Sequence, residues 1–310
     1  MNSALAPGKI ILFGEHAVVY GRPALAVPVT QVRAEVEVWP SEYRGVWIDA
    51  PDIRLKAELK EVEFDHPLAA SLRTLFSELG VDPCPNINIR IRSTIPVASG
   101  LGSGAAVSVA LARALCAYIG QPASDDQVNR LAFEMEKVYH GTPSGIDNTV
   151  ITYAKPVYFL RGQPIKTFKP RKPFTIVIGD TGVAASTREA VADLRSLWEK
   201  DRRTWDAIFT RVGQIVDEAR RAIEYGKIRA LGELMDQNQD LLQHMTMSSL
   251  ELERLIEAAR DAGALGAKLS GAGRGGNMIA LAEPSAASVS AIRDCLMSAG
   301  ARRVITTTVG

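Results

Sequence analysis

The sequence predicts an α+β protein made of two domains. The chain has 310 residues, of which 46% are hydrophobic and 23% are charged, so it is long enough to bury two cores of ordinary size. Predicted strands are interspersed with predicted helices in both halves of the chain, which is typical of α+β domains. Residues 155–173 are rich in proline and basic side chains and follow no regular period. We therefore place the domain boundary in this segment, with one domain at residues 1–165 and the other at 166–310.

The spacing of apolar residues indicates the elements of the first half. Apolar and polar residues alternate over 32–38 and 87–91, which is the period of half-buried strands. A short apolar segment at 9–13 indicates a further strand. Helical spacing predicts one helix at 68–79 and another that begins near Gly104.

A third helix of the first half begins at a capping-box signature. Ser124 is followed three residues later by Gln127, and an apolar stripe at helical spacing then continues to residue 139. Glycine and proline end this helix shortly afterwards. We predict that residues 141–153 form a turn-rich loop that runs into a strand.

Helical patterns dominate the second half. The predicted elements are a strand at 174–179, helices at 187–200, 205–225, 228–244 and 250–262, a glycine-rich turn flanked by apolar segments within 263–281, a helix at 286–299 and a strand at 303–309.

Charge and cysteine content exclude several classes of protein. The chain has 36 Lys and Arg against 35 Asp and Glu, so no overall field favours nucleic acid or an anionic membrane surface. The three cysteines are isolated and lack metal-ligand spacing, which indicates a reducing compartment. The first residues lack the basic segment, apolar core and cleavage site of a secretion signal. We expect a cytoplasmic protein with neither a nucleic-acid nor a membrane partner.

An uncharged run of 20 residues between Arg92 and Arg113 contains the turn IPVASGLGSGAA. Its length would suffice to span a membrane, but Pro96 and three glycines shorten the helical part, so we predict a buried helix. Glycines allow the backbone to approach an anion, and the helix start that follows offers unpaired N–H groups. The pattern is neither a P-loop nor a dinucleotide-binding fingerprint. Taken alone, the turn leaves both phosphate binding and tight packing open.

Three further segments accompany this turn: APGKIILFGEHAVVYG at 6–21, GTPSGIDN at 141–148 and KLSGAGRGGNMIAL at 268–281. In order and spacing the four segments resemble the signatures of the galactokinase, homoserine kinase, mevalonate kinase and phosphomevalonate kinase (GHMP) superfamily. The first segment resembles that of the mevalonate kinase branch. Both halves of the chain carry part of the resemblance.

The resemblance implies a two-domain GHMP kinase fold with its active site in a cleft between the domains. The N-terminal domain would be mixed α/β, like domain 2 of ribosomal protein S5, and the C-terminal domain ferredoxin-like. ATP, with Mg²⁺, would donate its γ-phosphoryl group to the 5-hydroxyl of mevalonate and give 5-phosphomevalonate. A homodimer is an open expectation.

The resemblance assigns the catalytic roles to Asp147 and Lys9. Phosphoryl transfer needs alignment, charge stabilisation and a group that orients or accepts the hydroxyl proton. Asp147 matches that last group, and a cap or Asx turn is its alternative role. Lys9 matches the lysine beside the catalytic aspartate, where it would keep the carboxylate ionised and offset phosphate charge.

The metal ligands implied by the resemblance are Glu136 and Ser103. Glu136 precedes Asp147 by the family's offset and lies at the edge of its helix's apolar stripe, whereas Glu134 lies at the opposite edge. The family usually carries a second serine where this chain has Gly104. Mg²⁺ keeps several waters, so a water can replace the lost hydroxyl.

The resemblance also implies the residues that contact substrates. Those expected at mevalonate are Glu15, His16, Ser144, Gly145, Thr187, Gly271 and Ala272, and those expected at the ATP phosphates are Pro96, Ala98, Ser99, Gly100, Leu101, Gly102, Ser103, Gly104, Ala105, Gly271 and Gly273. Arg274 stands where other members carry glycine, and contact with phosphate, contact with a substrate carboxylate and capping of a helix all stay open for it.

Several alternatives share these motifs. Phosphomevalonate kinase, homoserine kinase and sugar kinases could use the same turns and Asp147. Diphosphomevalonate decarboxylase also consumes ATP, but its members lack the A-P-G-K and G-E-H pairing found here. A non-catalytic binding protein on the same scaffold is disfavoured, because it has no need to keep Lys9, Glu136 and Asp147 together.

Overall fold

The computed structural model describes residues 1–96, 99–140, 143–164, 166–184 and 186–310, without the side chains of residues 139, 140, 187 and 188. The chain forms two compact units. The first comprises Met1–Lys9, Val32–Val97 and Leu101–Ala154, and the second comprises Ile10–Gln31, Ala98–Gly100 and Lys155–Gly310. The sequence-based boundary at residue 165 stays a prediction.

The first unit contains the elements that carry most of the glycine turn and the lysine–aspartate pair. Its strands are β1 (Asn2–Phe13), β2 (Ala24–Pro40), β3 (Val46–Ala50), β4 (Leu55–Glu58) and β5 (Ile87–Ser93), and its helices are α1 (Pro67–Glu78), α2 (Ser103–Tyr118), α3 (Asp125–His140) and α4 (Ile146–Tyr153). Strands β1 and β2 continue into the second unit.

The sheet of the first unit has the order β4-β3-β5-β2, and β1 also pairs with β2. Strands β3 and β5 are parallel, whereas β2 pairs with β5 in antiparallel register, Val36 opposite Ile91. The residues that alternate along β2 and β5 are buried on one face, which confirms the two strands predicted from period-two spacing. Strands β3 and β4 are not among the predicted elements.

Helix α4 corrects the sequence-based prediction of a strand after Gly145. Five of its eight residues are β-branched, which favours a strand by propensity. Gly145 adopts a left-handed φ of 88° at the N-cap, and six residues of the helix are buried in the unit's core. Tertiary packing therefore overrides local propensity, and Asp147 lies in the first turn of a helix, where the dipole favours a carboxylate.

The second unit contains a four-stranded antiparallel sheet with helices. Its elements are β6 (Val157–Phe159), β7 (Lys166–Thr167), β8 (Phe174–Asp180), α5 (Thr187–Lys200), α6 (Arg202–Tyr225), α7 (Ile228–His244), α8 (Leu250–Asp261), β9 (Gly266–Ser270), β10 (Asn277–Ala282), α9 (Ala286–Ser298) and β11 (Arg303–Val309). The sheet order is β11-β8-β10-β9, and β6 pairs with the start of β2 at Ala24–Ala26. The predicted bounds of α5, α7 and β11 are confirmed to the residue.

Helix α7 covers the outer edge of β9. Asp236 accepts a hydrogen bond from the backbone N–H of Ala267 at 3.0 Å, and Gln239 accepts one from Leu269 at 2.9 Å. The backbones approach so closely that a Cβ on Gly232 would lie 2.1 Å from the carbonyl oxygen of Leu265. Side chains of α7 therefore accept hydrogen bonds from backbone N–H groups of the edge strand β9, which would otherwise be buried without partners.

Among the residues described, none of the helices combines the length and the apolar character that crossing a bilayer requires.

Candidate active site

Lys9 and Asp147, which the sequence assigns to catalysis, lie together in the first unit. The Lys9 ammonium is 3.0 Å from a carboxylate oxygen of Asp147. The lysine side chain is only 6% exposed, whereas that of Asp147 is 34% exposed. The structure thus brings together a buried cation and a carboxylate that solvent or a ligand can reach.

Hydrogen bonds at the start of α4 position Asp147. Thr149 donates its hydroxyl to the carbonyl oxygen of Gly145 at 2.6 Å. Asn148 donates its side-chain amide to the Asn129 side chain on α3 at 2.7 Å. Because Asn148 is buried and is the next residue in the chain, this contact fixes the rotation of α4 and with it the direction of Asp147. The hydroxyl of Ser144 accepts a bond from the N–H of Ile146, so Ser144 and Gly145 build this helix start.

The glycine turn reaches Lys9 at the N-terminus of α2. Gly102 is the N-cap and has a left-handed φ of 75°. A Cβ at Gly102 would lie 2.9 Å from Cγ of Lys9 and 3.0 Å from Cδ1 of Ile151. The N–H of Lys9 also donates to the carbonyl oxygen of Leu101 at 3.0 Å. Glycine is therefore required here by both conformation and space, and the N-terminus of α2 lies beside Lys9, which pairs with Asp147.

Glu136 is buried on α3, only 4% exposed, whereas Glu134 is paired with Lys137 at the surface. Burial, and secondarily the negative charge of Asp147, raise the pKa of Glu136 to about 7, although Lys9 acts in the opposite direction. A buried carboxylate whose pKa is raised in part by a second, negatively charged carboxylate lies in a site that favours a cation. Their hard oxygen atoms fit Mg²⁺.

Gly104 lies directly beside Glu136. A Cβ on Gly104 would be 3.5 Å from Oε1 of Glu136, which is an ordinary van der Waals distance. A serine at this position would therefore place its hydroxyl next to the carboxylate without displacing it. In the described part of the chain no three His, Cys, Asp or Glu residues cluster, so a metal here would take further ligands from water and phosphate oxygens.

In the second unit, Glu15 and His16 follow the end of β1. His16 has φ 61° and ψ −51°, and the N–H of Ala17 bonds to the carbonyl oxygen of Glu15 at 2.6 Å. These features define a γ-turn with a strained residue at its centre. Nε2 of His16 donates to the carbonyl oxygen of Ala272 at 3.0 Å, so Nδ1 is the acceptor of the neutral ring. Burial lowers the pKa of His16 to about 4, and the ring is neutral at pH 7.

The turn between β9 and β10 uses its glycines for close packing. A Cβ on Gly273 would lie 2.1 Å from the carbonyl oxygen of Met247. Of the three roles left open for Arg274, the structure supports one close to capping. Its guanidinium pairs with Asp193 on α5 and donates to the carbonyl oxygen of Thr246, just beyond the end of α7. Asp193 is therefore the ion-pair partner of Arg274, although its side chain stays largely exposed.

Ser99 and Gly100 of the glycine turn belong to the second unit and contact β10. The side-chain amide of Asn277 donates to the carbonyl oxygen of Ser99, and a Cβ on Gly100 would lie 3.6 Å from that amide. Asn277 is buried, and its hydrogen bond to Ser99 fixes this part of the turn against β10.

The predicted site residues fall into three sets. Those in the first unit are Lys9, Pro96, Leu101, Gly102, Ser103, Gly104, Ala105, Glu136, Ser144, Gly145 and Asp147; those in the second are Glu15, His16, Ser99, Gly100, Gly271, Ala272 and Gly273; Ala98 and the side chain of Thr187 lie outside the described residues. The roles assigned to all of them stay predictions.

Sequence reasoning missed three supporting residues, namely Asn148, Asn277 and Lys268. The lysine carried a usable signal, because a charged residue within a strand of small and apolar residues requires a buried partner. Asn148 and Asn277 gave no signal in the sequence, because their hydrogen-bond partners lie on other parts of the chain.

Comparisons with known proteins agree with this architecture. The model of the GHMP kinase N-terminal domain matches residues 67–155, and that of the C-terminal domain matches 216–301. Mevalonate kinases of Pyrococcus horikoshii and Thermococcus sibiricus are each 38% identical over 300 and 299 residues, covering 90% of this chain and 88% of each relative. The crystal structure of L. major mevalonate kinase in complex with R-mevalonate has a TM-score of 0.87 and 30% identity, covering 100% of this chain and 96% of that one.

The fold, the two family matches and the pairing of lysine with aspartate beside a glycine-lined helix start define a small-molecule kinase of the GHMP class. Relatives more than a third identical to it are mevalonate kinases, and the chain belongs to the mevalonate kinase branch of this family.

Proposed function

We propose that this protein transfers the γ-phosphoryl group of ATP to the 5-hydroxyl of mevalonate and so forms 5-phosphomevalonate. The observation that carries the proposal is the contact of Lys9 with Asp147 at 3.0 Å, beside Gly102 at the start of α2. Relatives that are 38% identical and bear the name mevalonate kinase support the choice of substrate.

Asp147 orients the 5-hydroxyl and accepts its proton. The hydroxyl oxygen forms a bond to the γ-phosphorus while the bond to the bridging oxygen of ADP breaks, and ADP leaves with the electron pair. Little proton abstraction is needed until late in a loose transition state, so a carboxylate of ordinary basicity suffices. The position of Asp147, held by Asn148 and Asn129, matters more than its basicity.

Lys9 and the start of α2 hold negative charge. The ammonium lies against the Asp147 carboxylate and offsets charge on the γ-phosphoryl group. The N–H groups at the start of α2, from Ser103 to Ala105, are placed to bind phosphate oxygens. Because the Lys9 side chain is buried, its electrostatic effect is larger than it would be in water.

Glu136 and Ser103 would hold Mg²⁺ when it is bound. The metal would supply charge neutralisation at the ATP phosphates and a template for their orientation. In this chain, the space beside Glu136 that a serine hydroxyl would fill at Gly104 is left for a water molecule.

The proposed mevalonate site consists of Glu15, His16, Ser144, Gly145, Thr187, Gly271 and Ala272. The proposed phosphate site is completed by Pro96, Ala98, Ser99, Gly100, Gly271 and Gly273. The two hydroxyls of mevalonate can donate hydrogen bonds to acceptors such as Glu15 and the neutral ring of His16. A cytoplasmic location and a homodimer are further predictions. Free cysteines in the described residues support the first, and light scattering would test the second.

A coupled ADP-release assay tests the proposal. Mevalonate, phosphomevalonate, diphosphomevalonate, homoserine and galactose are offered separately at equal concentration, and carbon dioxide is measured in parallel. We expect release of ADP with mevalonate at a rate far above the others and no carbon dioxide. A preference for another alcohol would replace the substrate assignment, and carbon dioxide release would indicate the decarboxylase.

A further inference from the structure

Lys268 is a completely buried lysine that the proposed chemistry does not use. It lies in the middle of β9, and its side chain is 0% exposed. Lysine is among the residues least often buried in full, because removing an ammonium group from water is costly. A strand position of this kind normally carries an apolar residue, so the charge needs an explanation.

The Lys268 ammonium has specific partners. It pairs with the carboxylate of Glu15, whose side chain is also 0% exposed. It donates to the carbonyl oxygen of Leu269 at 2.5 Å and lies 5.9 Å from the centre of the Phe13 ring. Burial lowers the pKa of Lys268, whereas Glu15 acts in the opposite direction.

The face of β9 that carries Lys268 contacts the segment after β1. Ala267 and Leu269 point into the hydrophobic core of the second unit. On the opposite face, Ser270 donates its hydroxyl to the carbonyl oxygen of Ile11 at 2.8 Å, and Lys268 binds Glu15. On this face, Ser270 thus holds the last part of β1 and Lys268 holds the G-E-H segment that follows it.

The part of β9 that carries Lys268 is held in place by contacts with α7. Asp236 and Gln239 on α7 bind the N–H groups of the two residues that flank Lys268. Gly266 packs so closely on Gly232 that a Cβ would come within 2.1 Å of the backbone. A lysine held in this way can impose one position on a carboxylate.

We propose that Lys268 is a positioning residue for mevalonate, acting through Glu15. This inference rests on the proposed function, in which Glu15 contacts the substrate. The ammonium pairs with the buried Glu15 carboxylate and fixes its orientation. An ionised carboxylate has about four acceptor sites, so it can bind Lys268 and also accept a hydrogen bond from a substrate hydroxyl.

Pairing of Lys268 with Glu15 also reduces the repulsion between Glu15 and an anionic substrate. Mevalonate carries its own carboxylate, which an uncompensated charge on Glu15 would repel in a site of low dielectric. With Lys268 beside it, Glu15 contributes an acceptor without a net negative charge. Glu15 can therefore bind a hydroxyl of an anionic substrate without repelling the carboxylate of that substrate.

Calorimetric binding of R-mevalonate and of a non-hydrolysable ATP analogue to full-length variants tests the proposal. The variants are Lys268→Met, Lys268→Arg, Glu15→Gln and the combination of Lys268→Met with Glu15→Gln. We expect Lys268→Met to raise the Kd for mevalonate about tenfold or more and to leave the Kd for the ATP analogue within about twofold. Lys268→Arg keeps the charge and should raise the Kd for mevalonate less.

The combined variant separates positioning from packing. If Lys268 acts through Glu15, Lys268→Met should add no further loss of mevalonate affinity in the Glu15→Gln background. The melting temperature should fall in Lys268→Met, which leaves a buried charge unpaired, and recover in the combined variant. Should Lys268→Met not fold, Lys268→Arg is compared in both backgrounds, with a loss expected only where Glu15 is present.

Three results would overturn the inference: an unchanged Kd for mevalonate in Lys268→Met and Lys268→Arg, an equal loss in both backgrounds, or an equal loss of affinity for the ATP analogue. Failure of the proposed function is distinct, since wild-type protein would then neither bind mevalonate nor release ADP with it.

Discussion

At the scale of single residues, the candidate functional residues include two buried lysines that each pair with a carboxylate. Lys9 with Asp147 and Lys268 with Glu15 are two lysine–carboxylate pairs, one in each unit. In the first pair the Asp147 side chain is partly exposed. In the second pair both side chains are buried, and Lys268 is proposed to act through the carboxylate that it holds.

Replacing Asp147 by asparagine should remove the proton acceptor and keep the shape of the side chain. We expect kcat to fall by about 10²–10⁴-fold, the usual contribution of a general base. The affinity for an ATP analogue, measured by calorimetry, should stay within about twofold of wild type. A kcat within about tenfold of wild type would remove Asp147 from the catalytic role.

Replacing Gly104 by serine should restore the hydroxyl that the family usually carries there. The added Cβ would lie 3.5 Å from Oε1 of Glu136, so the variant should fold normally. We expect the Mg²⁺ concentration for half-maximal activity to fall about threefold or more, because a fixed ligand replaces a water. Gly104→Ala adds the Cβ without the hydroxyl and is the matched control. Equal titrations for the two variants would contradict a metal-binding role at this position.

The buried ring of His16 should make folding stability depend on pH. Its pKa is about 4 in the folded protein and near 6.5 when unfolded, so between these values the unfolded state binds more protons. The free energy of unfolding should therefore fall as the pH falls through this window. Between pH 7 and pH 5 the His16 contribution is about 2 kcal/mol.

Urea denaturation of wild type and His16→Gln at both pH values measures this contribution. The stability advantage of wild type over the variant should shrink by about 2 kcal/mol at the lower pH, since all other groups are shared. An advantage that does not change with pH would mean that His16 is not buried in its neutral form.

At the scale of elements, the start of α2 lies against Lys9 of β1 at a glycine. Gly102→Ala would place a Cβ 2.9 Å from Lys9, in addition to the cost of a left-handed conformation. We expect the variant to lose about 1–2 kcal/mol of stability and to lower kcat about tenfold or more, because Lys9 must move.

Gly120, just after the end of α2, is the matched control for this variant. Its φ of 76° imposes the same conformational cost on alanine, but the added Cβ would meet nothing within 4 Å. Gly120→Ala should therefore lose similar stability and keep kcat. An equal loss of kcat in both variants, measured at saturating substrates, would show that strain alone and not contact with Lys9 explains the effect.

At the scale of the whole molecule, substrate binding should stabilise the fold. A ligand that binds only the folded state at about 100 times its Kd stabilises it by about 2.7 kcal/mol. We expect R-mevalonate to raise the melting temperature in differential scanning calorimetry and homoserine or galactose at the same concentration to leave it unchanged. A shift with homoserine or galactose and none with mevalonate would contradict the proposed substrate.

Much of the fold could be predicted from local pattern, because most helices here are amphipathic and long. The bounds of α5 and α7 follow from helical spacing alone. Helix α4 could not be predicted in this way, because its β-branched residues favour a strand and only burial makes a helix the better solution. Ordered motifs indicated the family and the candidate residues Lys9, Asp147 and Glu136.

The sequence by itself determined the class of element in most segments, the family and the residue types available for phosphoryl transfer. Only the tertiary structure decided that Lys9 meets Asp147, that Lys268 meets Glu15 and that Arg274 is engaged by Asp193. The physical reason is that periodicity reports which face of an element is buried, whereas the pairing of charges depends on which faces the fold brings together.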